Sequence, residues 1–379
     1  MKLWIDGWRT HGGTGVARYL NNIVRNFVRE NVAGVFDDVR FCTSRPLAPD
    51  GLQLPAGVVP EVIPPDWRMI SWENLRLAPI ARTGVLWGPS NTLPLVCKSR
   101  TVVTTHDAAN AILPEATSLS DRTFYRWLFA RSARHATRVI VHNCTTRDDV
   151  ARAYGVAMEK IRVVPLAAAD LFKQQLDPTA ASRTRARLLG SDTPFYMCVG
   201  TMSRRRNVPL VIRGFAEFRR RTGLAHLLVL VGKKPDDLDI VCEALNAGVA
   251  DSVIHLAGLP DSDLNDLYNA AVALVLAATY DSTSLPAFEA MKTGLPIIAP
   301  STPAMLETTG GHALHLDALD ERHFADAFEL LAVRPDERRR LSEAGFAFGA
   351  RFSWEQTAVK TMAVLEEAAH ERLASASSP

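Results

Sequence analysis

Cysteine is scarce. Only Cys42, Cys97, Cys144, Cys198 and Cys242 occur in 379 residues, odd in number, far apart and mostly in apolar surroundings. That distribution excludes a disulfide framework and lacks zinc-site spacing, so buried free thiols in a reducing compartment are expected. Long hydrophobic runs are lacking too, since nothing approaches the roughly 20 apolar residues that span a bilayer. The opening Met1-Lys2-Leu3-Trp4-Ile5-Asp6 turns polar after a few residues and reads as a first strand, not a signal peptide. Nor does one sign of charge prevail: 43 Lys+Arg face 41 Asp+Glu, a formal net charge of +2. No nucleic-acid partner is expected.

What is present describes a folded chain. A hydrophobic content of 47% with 22% charged residues fits a globular protein, and the length exceeds one ordinary core, so two domains are expected. The charge is uneven. Residues 1–178 hold 22 Lys+Arg against 16 Asp+Glu, whereas 179–379 hold 21 against 25. A basic first half suits an anionic partner, such as a phosphorylated acceptor or a lipid surface, although arginines solvated on helix backs would give the same count.

Strand-like runs alternate with helical patterns. Residues 101–105, 139–141, 161–165, 195–199, 227–231, 253–259, 271–278 and 297–299 are short, apolar and often β-branched, with helical stretches between many of them. This alternation predicts an α/β fold with parallel sheets wrapped by helices. Apolar periodicity lapses between Ala167 and Thr193, where Pro178 and three arginines mark a connector with one short helix. The expected domains are therefore 1–178 and 190–353. A long helix follows from about 354, and residues 375–379 read as frayed. The helix 122–138 mixes Phe124, Trp127 and Leu128 with arginines, a pattern of amphipathic packing that also suits a membrane surface.

The densest chemistry lies at Tyr280-Asp281-Ser282-Thr283-Ser284-Leu285-Pro286-Ala287-Phe288-Glu289-Ala290-Met291. A buried strand precedes it, Ser284 can cap a helix, Pro286 fits the first turn, and Gly294 with Pro296 ends the helix. At the carboxyl end of a parallel strand, the N–H groups of Ser282, Thr283, Ser284 and Leu285 would face an anion. Asp281 and Glu289 bracket that site, and carboxylates accept hydrogen bonds from the vicinal hydroxyls of a ribose or hexose carried on a diphosphate. Upstream, Arg204-Arg205-Arg206 follows another strand, and guanidinium groups suit bidentate contact with a diphosphate. His106-Asp107 follows the β-branched strand 101–105, where a polar pair is well placed for chemistry. The loop His11-Gly12-Gly13-Thr14-Gly15 precedes a helical pattern running through Val28. As a dinucleotide fingerprint it fails, because Arg18 stands where a third small residue is needed and no ribose-binding acid follows.

Together these stretches resemble the family 4 retaining glycosyltransferases of GT-B fold. The resemblance covers nearly the whole chain and is most specific from Phe195 to Glu307. Glu289 matches the second glutamate of the family's acidic motif, Asp281 replaces the first, and Ser282 and Ser284 stand where glycines are usual. The resemblance implies two Rossmann-like domains facing across a cleft, with the helix 354–379 returning to the first. It implies Arg205 and Arg206 on the donor diphosphate, Gly13 and Gly15 at the first loop, the nucleotide base near Leu259, and His106 near the transferred sugar. Asp281 would touch the sugar, and Glu289 would hold ribose hydroxyls. It further implies a cytoplasmic hexosyltransferase that needs no metal or cofactor. Its donor is a nucleotide diphosphate sugar, GDP-mannose being the leading guess, and its acceptor a glycan or lipid-linked saccharide of surface-polysaccharide assembly. The basic first domain is where peripheral membrane contact is expected. A non-catalytic sugar-nucleotide-binding or assembly subunit of the same fold is the alternative, and a nicotinamide-dependent dehydrogenase is disfavoured by the failed fingerprint.

Overall fold

The computed structural model describes residues 1–371 except 13, 28–33, 50, 114–118, 176, 178, 203 and 234–237. Gly13, Val28 and the frayed end expected at 375–379 thus lie outside the described residues. The chain forms two compact units, Met1–Leu166 with Ser353–Pro379, and Ala167–Phe352.

Unit 1 carries seven strands: β1 (Lys2–Asp6), β2 (Asp38–Thr43), β3 (Val58–Val62), β4 (Val85–Gly88), β5 (Arg100–Thr104), β6 (Arg138–Val141) and β7 (Ile161–Val163). Their order is β3-β2-β1-β4-β5-β6-β7, with every pair parallel. Unit 2 carries β8 (Phe195–Val199), β9 (Leu227–Val231), β10 (Val253–Leu256), β11 (Ala273–Val275), β12 (Ile297–Pro300) and β13 (Leu314–Leu316). They are ordered β10-β9-β8-β11-β12-β13 and again all parallel. Strands covered on both faces need apolar residues at successive positions, and Leu228 to Val231 of β9 are all buried. In both sheets the order reverses beside the first strand, between β1 and β4 and between β8 and β11. Ligands of doubly wound sheets bind at such reversals, outside the carboxyl ends of the strands.

The core of unit 2 is aromatic. Helices Val208–Thr222 and Glu321–Val333 bring Phe215, Phe218 and Phe328 onto one sheet face, where Tyr196 donates its hydroxyl to the Phe328 carbonyl at 2.5 Å. Burying each phenylalanine contributes about 2–3 kcal/mol. The stretch read as a connector packs onto unit 2. The Lys173 and Gln175 amides donate to Asn265 and Asn269 of the helix Asp261–Ala270, and Arg187 of the helix Ala180–Leu189 pairs with Asp263 and Asp266. The chain accordingly changes units after Leu166, at the start of the stretch where apolar periodicity lapses. Polar side-chain bonds tie this stretch down, and they leave no apolar period to read.

The helix Trp354–His370 belongs to unit 1. Thr357 donates to the Pro165 carbonyl at 2.8 Å, and Glu367 receives both Arg138 and Arg162. Part of the basic excess of the first half is thereby neutralised within its own unit. All five cysteines are free, but only Cys42 and Cys198 are buried and Cys97 partly so. Cys144 and Cys242 are exposed, which corrects the expectation of buried thiols. Each sits on a helix that buries other positions, Val150 and Tyr154 in Cys144–Tyr154 and Ile240 and Ala244 in Ile240–Asn246.

Candidate active site

In unit 2, the loops leaving β8 and β11 meet at the reversal of strand order. Two glycines make this possible. Gly200 has φ +125 and Gly232 φ +141, and a Cβ on Gly232 would lie 1.9 Å from the Gly200 carbonyl oxygen. The Arg206 guanidinium folds over Gly200, where a Cβ would stand 3.1 Å from its Cζ. A 3-10 turn, Arg204–Arg206, then leads to Asn207 in the left-handed region, whose amide donates to the Ala277 carbonyl just beyond β11 at 2.9 Å. This stitch brings residues 70 positions apart into register.

Arg206 Nη1 stands 4.0 Å from Asp281 Oδ2, and Arg205 Nη1 donates to the Tyr280 carbonyl at 3.3 Å. Both side chains therefore point at the corner that carries Asp281. At 4.0 Å the carboxylate balances the Arg206 charge without capturing its donors in a fork, so those N–H groups stay available to a diphosphate. The helix Leu285–Thr293 starts one turn further on, with Pro286 in its first turn and Gly294 closing it at φ +74. Ser284 occupies the N-cap position, yet its hydroxyl makes no capping bond and is buried without a partner. Pro286 carries no N–H and the Ala287 amide donates to the Ser284 carbonyl at 3.1 Å, so the first-turn groups offer an anion mainly the partial positive charge of the helix end. An orphaned hydroxyl beside them costs free energy until something bonds it.

The remaining assigned residues are less openly displayed. Glu289 is 3% exposed and its Oε2 accepts from the Tyr268 hydroxyl at 2.7 Å. Tyr268 is itself buried and packs edge-on against Phe172, which fixes the carboxylate's orientation. Ser282 is buried, whereas Thr283 and Leu285 are partly exposed. Leu259 lies in the turn after β10, two strands from β8, partly exposed and preceded by Gly258 at φ +70. Ser282, Thr283, Leu285 and Leu259 lie just beyond the carboxyl ends of unit 2 strands, and Glu289 lies inside the helix that follows β11.

His106 and Gly15 belong to unit 1. Gly15 opens the helix Gly15–Arg25 and is exposed; Thr14 caps that helix by accepting from the Ala17 amide at 3.3 Å. His106 follows β5. Its main-chain N–H donates to Asn91, and both ring nitrogens are engaged within the unit: Nε2 donates to the Pro89 carbonyl at 2.8 Å, and Nδ1 faces His142 Nε2 at 3.0 Å. Burial lowers the pKa of both imidazoles, that of His142 to about 3 with repulsion from His106 adding to the effect.

Sequence reading passed over His142 and an acid pair. The signal for His142 was the one that exposed His106, a polar residue directly after a buried strand. Asp6 ends β1 and is buried beside Glu73, which is 1% exposed and accepts from Thr92 Oγ1 at 2.5 Å. Burial pushes Asp6 up to about 6 and Glu73 well above its ordinary value, the Asp6 charge adding to the latter. The two carboxyl groups thus keep a proton to higher pH than free acids do.

Comparison with known proteins sharpens the picture. Residues 183–348 match the family description "Glycosyl transferases group 1", and residues 13–168 match "Glycosyltransferase Family 4". O-antigen chain mannosyltransferase B of Escherichia coli is 24% identical over 73% of this chain and 72% of its own length. The Salmonella typhimurium O-antigen chain mannosyltransferase RfbU is 22% identical over 66% of each chain. An MMP alpha-(1->4)-mannosyltransferase of Mycolicibacterium hassiacum is 28% identical over 63% of this chain, which spans only 56% of that relative. Among solved structures, WaaG, a glycosyltransferase involved in lipopolysaccharide biosynthesis, superposes with a TM-score of 0.71 at 16% identity, covering 96% of this chain and 99% of WaaG. Anabaena HepE, solved in complex with UDP, gives 0.72 at 15% identity over 97% and 99%. At such identities the structural likeness establishes the fold.

Proposed function

This chain belongs to the group 1, family 4 glycosyltransferases of GT-B fold, and from that membership we propose that it moves a hexose from a nucleotide diphosphate sugar to a glycan or lipid-linked saccharide, with retention of anomeric configuration. The observation that carries this reading is the corner of unit 2. There an arginine with uncommitted donors, a helix amino end and an unbonded hydroxyl converge at the reversal of strand order. Negative charge builds on the diphosphate as its bond to the sugar breaks. Donors held in place beforehand stabilise that charge without reorganising at the moment of reaction. Arg206 and Arg205 take the diphosphate oxygens with Ser284 and the amino end of the helix Leu285–Thr293. Glu289, oriented by Tyr268, accepts from ribose hydroxyls. Asp281 contacts the sugar or sets the position of Arg206, and His106 of unit 1 serves the sugar.

No described helix is long and apolar enough to cross a membrane. Peripheral contact with an anionic lipid face is proposed for the helix Leu119–His135, which exposes Phe124, Tyr125 and Trp127 beside Arg126. A cytoplasmic location goes with that arrangement.

The donor is identified by thermal-shift titration with GDP- and UDP-linked hexoses, because a ligand present at 100 times its Kd stabilises by about 2.7 kcal/mol. The selected donor is then incubated with lipid-linked and free saccharide acceptors. The expected result is one preferred base and a glycosylated product in which the anomeric configuration is kept. Strong donor binding with no transfer across the acceptor panel would instead mark a binding subunit of the same fold. No stabilisation by any sugar nucleotide would remove the donor-site assignment.

A further inference from the structure

The pair formed by His106 and His142 contains a proton-counting problem. His106 Nε2 lies 2.8 Å from the Pro89 carbonyl oxygen, and His142 Nδ1 lies 3.2 Å from that of Val164. Carbonyl oxygens only accept, so each of these contacts needs an N–H. Between the rings, His106 Nδ1 and His142 Nε2 are 3.0 Å apart and need one proton more. Three contacts require three protons, whereas two neutral imidazoles bring two. Every neutral arrangement therefore leaves two acceptors facing each other across at least one gap, most cheaply the longest one, at Val164. A third proton completes all three bonds and makes the pair a single cation.

We propose that His142 is the positioning residue of His106, and that the two rings act as one unit that binds a single shared proton at the carboxyl ends of β5 and β6. This rests on the reading that His106 serves the transfer reaction. Each ring is restrained at both nitrogens, so His106 offers the site a fixed ring and a switchable charge, with no idle nitrogen. Burial opposes the third proton, and so does the charge on Arg9, while Asp107 favours it. Tyr19 meets both rings edge-on, at 4.9 and 5.0 Å, and burial keeps its phenol protonated against Thr104. Burial prevails on both rings, so the pair rests neutral and takes up its third proton when negative charge develops during turnover. The proton comes from solvent and returns to it, and no bond to carbon changes.

The test uses the full chain labelled with 15N-histidine and long-range 15N–1H spectra between pH 4 and 8. The expected result is that two of the ten histidines gain one proton together, at one midpoint below the ordinary value of about 6.5. Their four nitrogen signals would report three N–H groups at the acid end. Separate midpoints for the two rings would overturn the proposal. His142→Gln supplies the second measurement, because its amide can donate to His106 Nδ1 at any pH. In the unaltered enzyme kcat is expected to fall on the alkaline side of the pair's midpoint in the complex. In the variant that limb disappears while KM for the donor changes less than about threefold. A variant profile that superposes on the original would also sink it. Joint titration in a protein that transfers no sugar would overturn the functional reading alone, and separate titration in an active enzyme would overturn the pair alone.

Discussion

β1 and β8 hold the same place in sheets of the same strand order, yet β1 ends on a buried carboxyl group and β8 runs into a glycine with an arginine folded over it. At the reversal in unit 1, Asp6 is closed in by Glu73 and by the Trp8 amide, which donates to it at 2.9 Å, and burial raises the pKa of both carboxyl groups. At the reversal in unit 2 the glycines leave room, Arg206 is met by Asp281 only at 4.0 Å, and the Ser284 hydroxyl has no partner. Topology supplies a place for a ligand in both units. The side chains fill one with a buried acid pair and leave donors waiting in the other.

The contrast breaks most sharply at Arg206. Replacement by Ala is expected to depress kcat about 100-fold or more, the cost of losing one donor aimed at developing charge. Turnover within a factor of three of the original would show that the open donors of unit 2 do not serve the leaving group. Glu289→Gln keeps an acceptor for the Tyr268 hydroxyl but removes the negative charge. Nucleotide affinity should weaken about tenfold, since hydrogen bonds to charged groups contribute roughly 1.5–3 kcal/mol. Calorimetric titration with undiminished affinity would take the ribose away from Glu289.

Unit 1 is tested through stability. Asp6 titrates near 6 in the folded protein, against about 3.9 in an unfolded chain. The folded state thus holds more protons in that window, and the stability contributed is complete below about pH 4 and lost as pH rises through 6. Glu73, also raised, acts in the same sense. Glu73→Gln, which cannot ionise, should raise stability at pH 8 by about 1 kcal/mol and change it little at pH 4.5. Urea midpoints at the two pH values read this directly; equal shifts at both would mean the acid pair is not what fills this reversal. The smallest effect is expected at the surface. Phe124→Ser with Trp127→Ser should lower binding to anionic vesicles severalfold and leave donor binding in unit 2 unchanged; retention of full vesicle binding would assign any membrane contact elsewhere.

Much of this molecule was readable along the chain. The run Phe195–Val199 is a strand end to end, and the helix after Ser284 stops at Gly294 as its proline and glycine demand. The convergence of Arg205 and Arg206 with Asp281 was also anticipated, because both stretches directly follow buried strands. Other features left no local mark. The run 271–278 is apolar throughout, but only Ala273–Val275 is strand, with Val272 and Leu276 donating to the Phe195 and Ile298 carbonyls on either side of it. Glu289 looked like a ribose ligand or a surface group, and proved to be buried on a tyrosine 21 positions earlier. Ser284 had the right residue type to cap its helix and sits at the cap, yet does not use its hydroxyl to do so.

Dihedral preference, apolar period and strand-end polarity act within a few residues, so β1, the strands from β5 to β12 and the positions of the arginine and acid motifs were legible in the sequence alone. Which polar groups meet was settled only when the sheets closed. His106 and His142 lie 36 positions apart, Asp6 and Glu73 lie on separate elements, and Glu367 reaches arginines more than 200 positions away. Buried polar groups must find partners, and each choice depends on which strand end lies beside which. That is a property of the folded sheet, which no local stretch of the chain carries.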